Sequence, residues 1–278
     1  MSYDTIVLSG GAVHGISTLG ALQYAFDRKI IGEVDQYVGT SAGSICGYLL
    51  AIGYTPSEIM VYLCTNQVME EIDPIDFVSL AKGKGAISFN FISKELEKMT
   101  LSKVGRQLTL KELHDNLGKT LVCITYNVTK SRMEEVSYKT YPELPCLLAI
   151  QMSCTIPFVL ERFVYLDQEY VDGGVVNNYP VDVAERWGDR VFGIALMSHR
   201  DGGGTPGLMS YFNQLVKASM IRIMEINIQQ SRTSTKNVRV DPKQTTDKGD
   251  QFVIRKLTST TKLELFSSGY MQMKKIFD

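Results

Sequence analysis

The sequence predicts an α/β layered fold carried by a largely parallel sheet. Short apolar runs that stop at glycine turns alternate with longer segments of helical composition. Three windows, residues 5–26, 36–57 and 144–160, contain no Asp, Glu, Lys or Arg and read as buried. No internal repeat of roughly 20–50 residues interrupts the alternation. Strands that alternate with helices in this way place the helices against a parallel sheet.

In chain order, Thr5 to Ser9 is an apolar run ending in Gly10-Gly11, and Ile16, Leu19, Leu22, Tyr24 and Phe26 then suit a largely buried helix. The unit repeats: Val34 to Val38 ends in Gly39-Thr40-Ser41-Ala42-Gly43, and Ile45 to Ile52 continues as a helix before Gly53. Thr55-Pro56-Ser57-Glu58 combines a cap, a proline at the first helical position and a reciprocal Glu, which opens a helix over about residues 56–69. Residues 71–106, broken by Pro74, Gly83, Gly85 and Gly105, read as a mobile cap or loop region with short helices. Thr109 to Glu112 repeats the capping-box spacing and Gly118 supplies a stop, giving a helix over 110–117.

Leu121 to Tyr126 and Met133 to Tyr138, joined by the polar link Asn127 to Arg132, form an antiparallel strand pair. Leu144 to Met152 is helical up to the break at Ser153-Cys154-Thr155-Ile156-Pro157. Phe163 to Val171 makes two short strands around Asp167-Gln168 and ends at Asp172-Gly173-Gly174. Asn178-Tyr179-Pro180 starts a helix through Trp187, Val191 to Met197 is a core strand, and Asp201 to Pro206 is a hinge or loop. A long helix over 207–231, a polar strand-loop stretch over 236–254 and a terminal helix over 261–277 complete the chain. Residues 1–200 are expected to hold the main domain, and 201–278 a C-terminal helical extension packed on it.

The composition narrows the function classes. With 29 Lys and Arg against 30 Asp and Glu, a net charge of −1, nothing drives the chain onto a polyanion, so nucleic acid is not an expected partner. At 278 residues a compact chain buries about 75 % of its unfolded surface and needs no disulfide or metal staple. Five Cys without a C-x-x-C fit buried free thiols of a reducing compartment. Two uncharged windows approach the length of a membrane span, about 20 residues, but their Gly, Ser, Thr and His content rejects that reading. The start Met-Ser-Tyr-Asp lacks the basic region of a signal peptide, so a cytoplasmic location is the expectation.

Gly39-Thr40-Ser41-Ala42-Gly43 has the G-x-S-x-G form of a nucleophile elbow, set between an apolar strand and a helix as that motif requires. A base for Ser41 comes from a short inventory. Of the three His, His199 is the one candidate for the order nucleophile, acid, His of an α/β-hydrolase triad, yet only one strand-helix unit precedes the elbow here. The other option is Asp172, at a strand end and followed by two glycines that let backbone approach closely. A lone carboxylate is a weak base near neutral pH unless burial raises its pKa, so partial burial of Asp172 is a requirement. Gly10-Gly11-Ala12-Val13-His14-Gly15 turns several backbone N–H groups in one direction, as an oxyanion or a phosphate needs. It fails as a dinucleotide fingerprint because Ala12 stands where glycine is required, and no P-loop motif is present.

In combination, the loop Gly10 to Gly15, the elbow Gly39 to Gly43, Ser153 to Pro157, Asp172-Gly173-Gly174 and Asn177-Asn178-Tyr179-Pro180 follow a recognisable order. The chain resembles the patatin-like phospholipase family of lipid acyl hydrolases over about residues 3–200. The resemblance implies a three-layer α/β/α fold with a central, mostly parallel sheet and a Ser-Asp dyad, with Ser41 as nucleophile and Asp172 as base. Gly10, Gly11 and Ala12 would then form the oxyanion hole, with His14 and Gly15 positioning the loop and no metal or cofactor needed. The substrate it implies is a phospholipid or another acyl-ester lipid. Two departures from the family's G-G-G-x-[RK]-G loop stand out: Ala12 in place of the third glycine and His14 in the basic position. A catalytically silent lipid-binding or storage protein, in which Ala12 and His14 have spoiled the loop, is the competing reading. The segment Lys82 to Lys119, with eight Lys or Arg and with Phe89 and Phe91, is expected to touch anionic lipid surfaces.

Overall fold

The central strand is β1 (Thr5–Leu8), four buried residues whose side chains alternate between the two faces of one sheet. Ile6 and Leu8 enter one core with Leu22, Leu49 and Ile150, while Val7 enters another with Val38, Tyr179 and Val183. A strand apolar on both faces has to be covered on both, and the result is three layers. The computed structural model describes residues 3–66, 68, 87–197, 208–242 and 257–278. The expected hinge Asp201 to Pro206, His199, and Pro74, Gly83 and Gly85 lie outside the described residues.

The other strands are β2 (Gln36–Thr40), β3 (Thr120–Asn127), β4 (Arg132–Val136), β5 (Phe163–Tyr165), β6 (Gln168–Asp172), β7 (Val191–Leu196) and β8 (Lys236–Val240). They join in the order β5-β6-β3-β2-β1-β7-β8, with β4 paired to β3 off that path. Neighbours from β3 through β2, β1 and β7 to β8 run parallel, while β4, β5 and β6 pair antiparallel. The sheet is therefore mostly parallel, as expected.

One feature of the register positions the site. β4 occupies one side of β3 from Cys123 to Asn127. On the opposite side, β2 pairs as far as Thr40 against Ile124, and β6 takes over with Asp172 against Thr125. β2 ascending and β6 descending therefore meet end to end beside β3.

On one face lie α1 (Gly15–Asp27), α2 (Ala42–Ala51), α4 (Asn90–Val104), α5 (Leu110–Leu117), α6 (Cys146–Cys154) and α10 (Ser259–Phe277), with α3 (Pro56–Thr65) packed among them. On the other lie α8 (Val181–Trp187) and α9 (Leu208–Gln230); α7 (Gly174–Asn177) is a single turn after β6. Both expected capping boxes form: the Glu58 N–H donates to Thr55 Oγ1 at 3.2 Å and the Glu112 N–H to Thr109 Oγ1 at 3.1 Å, with each Glu side chain returning to the cap N–H. Such caps contribute about 1 kcal/mol each.

Three differences from the sequence reading have local causes. The stretch expected as loops with short helices contains α4, a 15-residue helix that buries Leu96, Met99 and Thr100 and ends at Gly105 in the left-handed conformation (φ 81°). The helix from Thr55 stops at Thr65, short of residue 69. The strand-loop stretch expected from residue 236 opens with β8, and what the sequence reading did not foresee is that this strand joins the sheet as its edge, parallel to β7.

Candidate active site

Ser41 sits between β2 and α2 with φ 54° and ψ −125°, a conformation that a residue with a side chain adopts only under strain of order 1–3 kcal/mol. Small residues make the turn fit. A Cβ on Gly43 would stand 2.3 Å from the carbonyl oxygen of Leu8, and one on Gly39 would stand 2.5 Å from the carbonyl carbon of Gly43. A serine cluster locks it: the Ser41 N–H donates to Ser153 Oγ at 2.9 Å, Ser153 Oγ donates to Ile124 O at 2.6 Å, and Ser44 Oγ donates to Gly39 O at 2.9 Å. The side chain thus stands at the carboxyl end of the parallel strands, where α/β sheets bind ligands.

Asp172, the last residue of β6, is 6 % exposed; its carboxylate accepts the Gly174 N–H at 2.7 Å and faces the Ser41 side chain, which favours its ionised form. Burial pushes its pKa from 3.8 up to about 6, against the lowering effect of these two neighbours. The burial that the sequence reading required of Asp172 is present. Gly173 lies where a Cβ would come within 2.2 Å of Ile124 O, so only glycine lets β6 end this close to β3. The Cys154 thiol also reaches Ser41, but burial raises its pKa well above 9.0 and keeps it neutral.

The loop after β1 approaches Ser41 closely: a Cβ on Gly10 would be 3.2 Å from Ser41 Cβ and 2.4 Å from Asn178 Oδ1. Of the three expected oxyanion donors, Gly10 is corrected. Its N–H donates to Asn178 O at 3.0 Å, and the Asn178 side-chain amide returns to Gly10 O at 3.3 Å. Among the described residues no protein acceptor takes the N–H of Gly11 or Ala12. Ala12 has φ 45°, so the position that the family fills with glycine does require a left-handed backbone, and here alanine bears the strain. His14 follows in a single 3-10 turn, and Gly15 packs with its would-be Cβ 3.0 Å from Ala42 Cβ.

Two cavities meet at Ser41. One, of about 140 Å³, is lined by Asp172, Asn178, His14, Leu196, Met220 and Met224. The other, of about 150 Å³, runs between α1, α2, α3 and α4 among Leu19, Ile45, Leu49, Ile59, Leu96 and Met99, and is almost wholly carbon-lined. Sequence reasoning assigned no role to Ser153 or Asn178, although both lie in segments that carried the resemblance. Their partners are 112 and 168 residues away. Of the eight cations expected to face lipid, four pair with carboxylates, Lys98 with Glu95, Lys103 with Glu58, Arg106 with Glu112 and Lys119 with Asp35, while Lys82 and Lys84 lie outside the described residues.

A serine at a positive-φ strand-to-helix elbow, facing a buried carboxylate at the carboxyl edge of a mostly parallel sheet, defines the class: an α/β protein with a serine elbow. The patatin-like phospholipase family model matches residues 6–185, and the chain belongs to that family. A probable lipid hydrolase, 463L, of Invertebrate iridescent virus 6 is 36 % identical over 189 residues, 66 % of this chain and 64 % of that protein. An uncharacterised protein of Bacillus subtilis, YqhO, is 26 % identical over 200 residues, 63 % of this chain and 64 % of its own length. The chain thus spans just under two thirds of these relatives' length. Among solved structures, VipD from Legionella pneumophila superposes with a TM-score of 0.56 at 16 % identity, covering 99 % of this chain and 66 % of that one, a likeness of fold.

Proposed function

We propose that the chain is a lipid acyl hydrolase of the phospholipase A type, working through a Ser41–Asp172 dyad and an acyl-enzyme intermediate. One observation carries the reading: the strained Ser41 side chain shares a cavity with the buried Asp172 carboxylate, where a second, carbon-lined cavity also reaches Ser41. Asp172 takes the Ser41 proton as Oγ attacks the ester carbonyl carbon. The N–H groups of Gly11 and Ala12 stabilise the oxyanion, with the positive end of α2 behind Ser41 adding to the field. As the intermediate collapses, the C–O bond to the alcohol breaks and Asp172 returns the proton to the departing oxygen. Water then attacks the acyl-enzyme, loses a proton to Asp172, and the fatty acid leaves as Ser41 is reprotonated. A pKa of about 6 makes Asp172 a better base than an ordinary carboxylate while leaving it mostly ionised at pH 7. The carbon-lined cavity suits the acyl chain, and the more polar one the alcohol side of the ester.

The test combines labelling and turnover. Fluorophosphonate should label the wild-type chain, and Ser41→Ala should abolish the label. Ser41→Ala and Asp172→Asn should each lower phospholipid hydrolysis at least about 10³-fold, while His199→Ala, which removes the triad alternative, should leave it within a few fold. A folded wild-type sample that takes no label and releases no fatty acid would leave the silent lipid-binding reading in its place.

A further inference from the structure

We infer that the paired tips of the β3–β4 and β5–β6 hairpins insert into a zwitterionic lipid surface and present the candidate active site to it. The inference rests on the acyl-ester-lipid reading of that site. The register sets the geometry. β3 passes the level of Thr40, the residue before Ser41, at Ile124 and continues upward to Asn127, so the turn at residues 128–131 stands above the carboxyl edge of the sheet. β6 runs the other way, entering above that edge at Gln168 and ending at Asp172, so the Leu166–Asp167 turn also projects beyond it. The two tips are tied together: the Val128 N–H donates to Glu169 O at 2.8 Å and the Glu169 N–H to Thr129 Oγ1 at 2.9 Å.

Three exposed apolar side chains stand on these tips, beside the exposed polar residues Thr129, Lys130, Ser131 and Asp167. Leu166 is 73 % exposed, Val164 59 % and Val128 40 %. Leu166 and Asp167 have φ 48° and 58°, the two-residue turn that ordinarily takes Asn-Gly or Asp-Gly. A leucine there bears left-handed strain of about 1–2 kcal/mol and gains no burial in return, so its side chain has no role in holding the fold.

Nearby cations do not favour an anionic surface, since Arg162 pairs with Glu169 and Arg132 with Glu134, while Asp167 and Glu161 balance Lys130. What remains to drive docking is apolar insertion, which salt does not screen. The cavity that holds Ser41 and Asp172 opens at the same edge, lined by Ile156 and Pro157 before β5 and by Pro242 just beyond β8. A bilayer seated on the tips would meet that opening.

The experiment uses phosphatidylcholine vesicles and the full chain. Ser41→Ala, which binds without hydrolysis, should co-sediment with the vesicles, and the affinity should change less than about twofold between about 0.05 and 0.5 M salt. Adding Val164→Glu and Leu166→Glu should weaken binding at least about tenfold with an unchanged melting temperature. As a second readout, Leu166→Trp should show blue-shifted, bromolipid-quenched emission on vesicle addition. The native Trp187, beside Asp4 and Gln36 at the opposite edge of the sheet, should not. Absence of vesicle binding, binding that needs anionic lipid and dissolves in salt, or tip variants that bind as wild type would each overturn the inference. Vesicle binding without hydrolysis by wild-type protein would sink the enzymatic reading and leave the docking surface standing.

Discussion

Asp172 holds a carboxyl whose pKa of about 6 in the fold exceeds the 3.8 of an exposed carboxyl, because burial outweighs the lowering effects of Ser41 and Gly174. The linkage has a definite sign. Between pH of about 4 and about 6 the folded chain holds a proton that the unfolded chain has released, so this group's contribution is full below pH 4 and lost above pH 6. Asp172→Asn should therefore raise stability at pH 7–8 by up to about 3 kcal/mol, a gain that vanishes toward pH 4, as melting curves across that range would show. The same ionisation should give kcat/KM on a soluble ester a single acidic limb centred near pH 6. A limb near pH 4, or an Asn variant less stable at pH 8, would mean that the carboxylate is not buried as described. Ser41, Asp172 and the need for burial were all legible in the sequence, because the elbow and the Asp-Gly-Gly triplet are local. The occupation of the Gly10 N–H by Asn178 was not, since a hydrogen bond across 168 residues leaves no local trace.

At the scale of elements, the serine and the carboxylate come together because two strands share one side of β3. The sequence marks the ends of β2 and β6 but not their pairing partners, and only the register places Thr40 and Asp172 on consecutive residues of β3. α4 was missed for a different reason. Its apolar stripe, Ile92, Leu96 and Met99, has helical spacing, but glycines on both flanks and a polar average obscured it. Ser153, near the end of α6, couples these pieces: it accepts from the Ser41 N–H, donates to Ile124 O on β3, and lies 3.0 Å from Ser44 Oγ. Ser153→Ala would leave the Ser41 N–H and the Ile124 carbonyl buried without that partner, a cost of about 1–3 kcal/mol. We expect kcat on a soluble ester to fall about 10- to 100-fold with KM nearly unchanged, because the elbow turns while both cavities keep their linings. A variant with normal kcat and a lowered melting temperature would restrict Ser153 to a structural part.

For the whole molecule, the decisive question is whether residues 201–278 are an appendage or part of one cooperative unit. The layered α/β architecture was legible from alternation and the uncharged windows, the three layers came from the family resemblance, and a C-terminal helix packed on the domain was expected; the backbone-to-backbone crossing that seats that helix was not legible, because no side-chain pattern marks it. Where α10 crosses α1, a Cβ on Gly20 would stand 1.9 Å from Phe266 O and one on Gly269 would stand 1.8 Å from Ser17 O. Helices approach this closely only with glycine at the crossing, and the approach buries Leu265 and Met273. α1 in turn follows directly on the Gly10–Gly15 loop, so a shift of α10 moves the backbone that carries the Gly11 and Ala12 N–H groups. Gly269→Val should therefore destabilise the chain by several kcal/mol, in the range of core overpacking or beyond. For a chain of this size that lowers the melting temperature by about 2–4 °C per kcal/mol. The loss should appear as one shifted calorimetric transition, with ester turnover and helical signal disappearing together, and a chain cut after residue 200 should not fold. Two separate transitions, or a truncated chain that still reacts with fluorophosphonate, would show that residues 1–200 stand as an independent unit.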